Sequence, residues 1–327
     1  MSFRTRMEHY LNSVWYSKDR RPLTVLRGLE QLHGRLAGPR FRRPEARPPV
    51  PVIVVGNLCA GGCGKTPTVI ALSDALTAGL RVAVISRGYG GKAPAYPLAV
   101  EPGSRVEDCG DEALLIRRAT QVPVIVDPDR ARALDYAINV FGAQVVISDD
   151  GLQHQALARS FEICLFDGSR GVGNGRLLPA GPLRQPLSRL NEVDQVLIKG
   201  AGMDWPGAQR FFLEPTGTRR LGKTLNADLA AWRGRSVNAF CALANPEQFK
   251  ASLLELGMKP RLRSFPDHHR YDADDLRGLS GPMLTTAKDA VKLGSWADGF
   301  DIHVLEVSAR LPPALLAQVN SHIAGFK

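Results

Sequence analysis

The chain of 327 residues lacks the paired cysteines that a secreted scaffold or a zinc ribbon needs. Its five cysteines, at 59, 63, 109, 164 and 241, are scattered and form no CxxC pair. Such scatter excludes a disulfide framework and predicts free thiols in a reducing compartment. Cys59 and Cys63 have a metal-like spacing, but no second pair accompanies them and they fall inside a glycine-rich loop, which argues against zinc. No uninterrupted run of 18 apolar residues occurs, so no spanning helix is expected. The start Met1-Ser2-Phe3-Arg4-Thr5-Arg6 leads into no apolar stretch of signal-peptide type, and a cytoplasmic chain is expected. Internal repeats and low-complexity tracts are missing as well.

A hydrophobic fraction of 44% is enough to fill a large core. The net charge of +10 is unevenly placed, because residues 1–47 hold eleven basic and four acidic side chains. This placement suggests an arm for an anionic surface rather than a basic groove, and no nucleic-acid partner is expected. Leu23, Leu26, Leu29, Leu32 and Leu36 recur at helical intervals, Arg20, Arg21, Arg27 and Arg35 supply charge, and Trp15 and Tyr16 precede the stripe. One reading is a surface helix packed on the main domain, the other a helix lying in a membrane interface. The Pro-rich link 43–49 then separates arm from core.

From Pro51 onward, apolar strands alternate with helices, which predicts an α/β fold with a parallel sheet covered on both faces. Strands are expected at Val52–Val55, Val82–Ile85, Val122–Val126, Val145–Ile147, Glu162–Phe166 and Gln195–Ile198. The rhythm changes after about Phe212, where a smaller second α/β unit begins. The division expected is an arm over 1–47, a nucleotide-binding domain over 48–215, and a smaller domain over 216–327 closing over the site.

Five segments carry chemistry. Gly61-Gly62-Cys63-Gly64-Lys65-Thr66 follows an apolar strand and opens a helix, where backbone N–H groups and the helix dipole can cradle a triphosphate. Lys65 is expected to reach the β/γ-phosphates of ATP and the Thr66 hydroxyl to bind Mg²⁺. The usual pattern wants glycine at position 59, where Cys59 stands. Asp149 and Asp150 end a strand beside this loop, a place for metal, although such a pair can also be a turn or cap. Asp111, at a helix start in Gly110-Asp111-Glu112, is a candidate base for a hydroxyl acceptor, with helix capping as the alternative. In Phe265-Pro266-Asp267-His268-His269 a histidine paired with a carboxylate is more plausible than a zinc set. Finally, Arg176 and Arg184 lie in a Gly/Pro-rich loop, Gly173 to Arg184, suited to phosphate recognition.

Together these segments resemble the tetraacyldisaccharide 4′-kinases, the lipid A kinases of Gram-negative bacteria. The matching strings are Val54–Leu58 with Gly61–Pro67, Ile85–Gly91, Gly110–Leu115, Asp149–His154, Gly173–Arg184, Asn245–Glu247 and Phe265–His268, in family order over most of the chain. The resemblance implies transfer of the ATP γ-phosphate to the 4′-hydroxyl of a tetraacylated glucosamine disaccharide 1-phosphate at the cytoplasmic face of the inner membrane, by a peripheral or monotopic enzyme. It implies that Asp111 paired with His268 is the base, that Asp149 and Asp150 form the Walker B end, and that Arg87, Gln153 and His154 share the site. It also implies two α/β domains with the site between them. Gln185 stands where the family usually has Glu, and Ala287 likewise. A lipid substrate with four acyl chains favours the membrane reading of the arm. A switch-type P-loop ATPase at a membrane surface is the alternative; such proteins place a lysine before the two glycines, where Ala60 stands. A third is a non-enzymatic lipid-surface module, which leaves the nucleotide site unexplained.

Overall fold

Strand β1 (Val52–Gly56), β2 (Val82–Ser86), β5 (Val145–Asp149), β6 (Phe161–Asp167) and β7 (Gln195–Lys199) are buried at every position. Runs this apolar cannot alternate in and out, so both faces of the sheet must be covered. The computed structural model describes residues 3–17, 21–37, 43–223 and 226–326. Its remaining strands are β3 (Leu98–Val100), β4 (Val124–Val126), β8 (Gln209–Arg220), β9 (Asn226–Ala227), β10 (Ser236–Cys241), β11 (Lys259–Ser264), β12 (Met283–Thr286) and β13 (Ile302–Arg310). They join one large, mostly parallel sheet in the order β11-β10-β12-β13-β8-β7-β6-β1-β5-β2-β4-β3, with β9 paired to β8. The fold is thus mixed α/β.

The helices are α1 (Phe3–Trp15), α2 (Thr24–Ala37), α3 (Lys65–Thr77), α4 (Val106–Cys109), α5 (Asp111–Ala119), α6 (Arg130–Phe141), α7 (Pro246–Glu255), α8 (Ala287–Ala290) and α9 (Pro313–Ala324). One face of the first half of the sheet packs Val69, Leu72 and Leu76 of α3 with Leu114 and Ile116 of α5. The other buries Ala133, Leu134 and Ala137 of α6.

The change of rhythm near Phe212 has a physical form. Strand β8 pairs in parallel with β7 through Gln209–Phe211, then antiparallel with β13 from Phe212 to Arg220. One continuous strand therefore serves both halves, and the cut drawn at 215/216 falls inside it. The last helix returns to the first half, where Leu315 and Val319 of α9 join the core around Leu72.

The arm forms two helices. Of the predicted stripe, Leu23, Leu29 and Leu32 are exposed, whereas Leu26 is half-buried. Glu30 anchors α2 inward, accepting hydrogen bonds from Arg176 Nη1 and the Leu177 backbone N–H, both at 3.0 Å. Arg20 and the Leu36 side chain lie outside the described residues.

Candidate active site

Strand β1 lies between β5 and β6, and Val55 is in register with Asp149. Chain order reverses at this point of a parallel sheet, so a crevice opens beyond the carboxyl ends of the strands. The phosphate loop occupies it. Gly64 has φ +92° and precedes α3 with no side-chain cap, leaving the N–H groups of the first turn for an anion. A Cβ at Gly64 would meet the Phe211 ring at 3.2 Å, so glycine is required there on two counts. Cys59 does not belong to the left-handed residues, which is why the position tolerates a side chain. Its thiol donates to the Gly171 carbonyl at 3.6 Å and burial pushes its pKa up to about 12. Cys63 is also buried, in the core cluster with Val69 and Leu72.

Asn57 braces the loop from within. Its Nδ2 donates to the carbonyls of Cys59 at 2.6 Å and Gly61 at 3.3 Å, and its Oδ1 accepts from Lys65 Nζ at 3.3 Å. Gln153 donates to the Asn57 carbonyl at 2.9 Å and to Gln185 Oε1 at 3.1 Å. Gln153 therefore touches the loop through its backbone.

The two aspartates at the end of β5 have opposite surroundings. Asp150 has a left-handed backbone (φ 49°), accepts from Arg184 Nη1 at 3.0 and 3.2 Å, and lies 3.7 Å from Lys65 Nζ. Burial would raise its pKa, but Lys65 and Arg184 outweigh burial and hold it at about 2. Asp149 is raised to about 7 by burial first, then by Glu112 and Asp150. Its Oδ1 is buried and has no hydrogen-bond partner, while its backbone carbonyl accepts from Arg130 Nη2 at 3.1 Å. A buried carboxylate oxygen that no donor satisfies suits a hard cation, and buried Thr66 is the second residue of α3, just after the adjoining loop.

Asp111 opens α5 because Gly110 bends the chain with φ +84°; a Cβ there would sit 2.5 Å from the Tyr89 carbonyl oxygen. The loop of Arg87–Gly91 and the start of α5 can touch only without that Cβ. Asp111 Oδ2 faces His268 Nδ1 at 2.9 Å, and Oδ1 accepts from the Glu112 backbone N–H at 2.9 Å. Burial alone would raise its pKa; the His268 hydrogen bond and Lys288 outweigh burial and bring it below the ordinary carboxylate value. His268 is itself left-handed (φ 60°), and its ring lies 4.8 Å from that of Tyr89. Among the described residues, Asp150 and His268 are the non-glycine residues with positive φ, and both are here. His269 turns away: Nε2 faces Asp275 Oδ2 at 2.8 Å and its ring stacks on Phe265.

Arg87 is exposed, and together with Arg130 it depresses the pKa of half-buried His154 to about 4, after burial as the leading cause. The ring is therefore neutral near pH 7. Two residues were missed in the sequence. Lys288 reaches from α8 to Glu112 Oε1 at 3.2 Å, Asp267 Oδ1 at 3.5 Å and Asp111 Oδ2 at 3.9 Å. Arg130, fully buried, holds the Asp149 carbonyl. Both lie far in sequence from the phosphate loop, and only the fold brings them near it.

The chain has counterparts in sequence and in fold. The family described as tetraacyldisaccharide-1-P 4′-kinase, LpxK, matches residues 21–324. The chain is 46% identical over 320 residues to the tetraacyldisaccharide 4′-kinase of Alcanivorax borkumensis, covering 97% of this chain and 96% of that one. It is 41% identical over 332 residues to that of Pseudomonas aeruginosa, covering 99% and 98%. A crystal structure of LpxK from Aquifex aeolicus in complex with ATP superposes with a TM-score of 0.71 at 28% identity, covering 98% of this chain and 99% of that one. Similarity of this extent, end to end in both sequence and fold, places the chain in the LpxK tetraacyldisaccharide-1-phosphate 4′-kinase family.

Proposed function

We propose that this chain transfers the γ-phosphate of ATP to the 4′-hydroxyl of a tetraacylated glucosamine disaccharide 1-phosphate in lipid A biosynthesis. The observation that carries this reading is the Asp111–His268 pair, held at 2.9 Å beside a phosphate loop with Lys65. A nucleotide site alone has no use for a buried carboxylate–imidazole pair, whereas an alcohol acceptor needs one.

In this reading the N–H groups of Gly61–Gly64 and Lys65 hold the β- and γ-phosphates. Thr66 and Asp149 would hold Mg²⁺, which when bound would supply neutralisation of phosphate charge; Asp150 keeps Lys65 and Arg184 in place. Asp111 accepts the proton of the 4′-hydroxyl as its oxygen attacks the γ-phosphorus. The bond to the β-phosphate oxygen breaks, and ADP leaves with that electron pair. The His268 hydrogen bond orients the carboxylate, which retains free lone pairs on both oxygens. Gln153, His154 and Arg87 are read as further members of the nucleotide site, Gln153 through its bond to the Asn57 carbonyl.

The arm is read as a membrane-interface element. Leu23 just before α2 and Val25, Leu29 and Leu32 on it are exposed, beside exposed Arg21, Arg27 and Arg35. No described helix is long and apolar enough to cross a membrane, so attachment would be peripheral, at the cytoplasmic face of the inner membrane. ATP turnover measured with and without a detergent-dispersed tetraacyl disaccharide 1-phosphate tests the proposal. Turnover only with the lipid supports a kinase; equal hydrolysis without it would favour the switch ATPase.

A further inference from the structure

The phosphate loop has an outer wall that no nucleotide-binding pattern contains. Helix α1 ends at Trp15, whose Nε1 donates to the Pro179 carbonyl at 3.0 Å and whose carbonyl accepts from the Asn174 N–H at 2.7 Å. Val14 beside it is buried. These contacts deliver Tyr16 to the loop, where its hydroxyl donates to the Ala60 carbonyl at 3.3 Å. The hydroxyl pKa is pushed up to about 12 by burial, so it remains a donor at neutral pH.

Arg170 completes the wall. It follows β6 in a turn fixed by bonds from the Arg170 and Gly171 N–H groups to the Asp167 carbonyl. Its guanidinium lies over the Tyr16 ring, 4.9 Å from the centroid. Nη2 donates to the Ala244 carbonyl, just before α7, at 3.2 Å. A Cβ on Gly61 would stand 3.3 Å from Nη1, so the guanidinium rests against the loop itself. Arg170 thus meets the arm, the phosphate loop and the connection between β10 and α7 at one point.

We infer that Tyr16 and Arg170 are positioning residues for the nucleotide: they clamp Ala60–Gly61 from outside as Asn57 does from within. Gly61 has φ +115°, a conformation that glycine leaves easily, so a loop held on one side only would sample outward-facing N–H groups. Holding it in the binding geometry beforehand removes an ordering cost from ATP binding. The arm is then part of the ATP site and not only a lipid anchor. The inference rests on the reading of Gly61–Thr66 as the triphosphate site.

The test uses the full-length protein in detergent, titrated with ATP and Mg²⁺ by calorimetry without lipid, followed by steady-state kinetics with lipid. Losing the ring contact and the hydrogen bond together in Tyr16→Leu, or the guanidinium in Arg170→Met, is expected to weaken ATP binding about tenfold. The loss appears in KM for ATP with little change in kcat. Tyr16→Phe keeps the ring under Arg170 and removes one hydroxyl, so it recovers most of the affinity lost in Tyr16→Leu. Wild-type ATP affinity in Tyr16→Leu and Arg170→Met overturns the inference, as does a loss confined to kcat. Should Arg170→Met fail to fold, the two Tyr16 variants decide alone. Wild-type ATP affinity in Lys65→Ala would instead overturn the phosphate-loop reading underneath.

Discussion

His268 Nδ1 lies 2.9 Å from Asp111 Oδ2 across 157 positions of sequence, joining the segment after β11 to the start of α5. Lys288 lies on the same cluster, so the pair stands at a junction of the two halves of the sheet.

Removing either member separates binding from chemistry. Asp111→Asn and His268→Ala are each expected to lower kcat by about 10²–10⁴-fold, the usual range for a positioned base, with ATP affinity retained. Single-turnover assays together with nucleotide titrations check this. Normal lipid phosphorylation by Asp111→Asn would remove it from the role of base.

With Mg²⁺ held by Asp149 as proposed, the raised pKa of that carboxyl is expected to couple cation binding to protons. A cation must displace the proton of a group titrating at about 7, so Mg²⁺ binding should strengthen as pH rises through 7. Calorimetry in buffers of different ionisation enthalpy would show proton release on binding below pH 7, and Asp149→Asn should abolish it. For stability the sign is opposite to that of an ordinary paired carboxylate. A group raised from 3.8 to about 7 binds more protons folded than unfolded, so its contribution falls as pH rises through that window. Asp150, held at about 2, adds stability above the ordinary carboxylate pKa and loses it as pH falls toward 2. Urea midpoints of Asp149→Asn against the parent protein, measured from pH 2 to 8, separate the two.

A fully buried ion pair stiffens the sheet behind the loop. Arg189 Nη2 donates to both oxygens of Glu162 at 2.6 and 2.7 Å, and both side chains are fully buried. Arg189→Met should cost about 3–5 kcal/mol, because it strands a buried carboxylate. Arg159 Nε, 3.4 Å from Glu162, compensates in part and draws the value toward the lower end. Denaturant unfolding measures it; the double variant with Glu162→Gln should recover much of the loss.

The arm offers a test that leaves the nucleotide site alone. Val25 and Leu29 are exposed on α2, at 71% and 47%, so Val25→Asp with Leu29→Asp should leave folding stability unchanged. Flotation with anionic vesicles should fall at the same time, since two apolar groups leave the interface and two negative charges enter. Unchanged flotation would return the helix to a packing role.

Much of this is legible in the sequence alone. Buried strands such as Val52–Gly56 announce themselves because apolar runs of that length must be covered on both faces. The phosphate loop is equally local: glycines, a lysine and a helix start lie within a few residues, so their chemistry does not depend on distant partners. Asp111, Asp149 and Asp150 could be named as candidates for the same reason. Tertiary structure decided what those candidates meet. Asp149 and Asp150 are neighbours in sequence, yet burial raises the first to about 7 despite Lys65, while Lys65 together with the Arg184 hydrogen bonds holds the second at about 2. His268 and His269 are adjacent too, and the positive φ of His268 turns one ring to Asp111 while the other goes to Asp275. The leucine stripe of the arm signalled an amphipathic helix, but which side faces the protein was settled by Glu30 reaching Arg176 and Leu177. Electrostatics and packing depend on distances through space, and those are set by how the sheet brings its strand ends together.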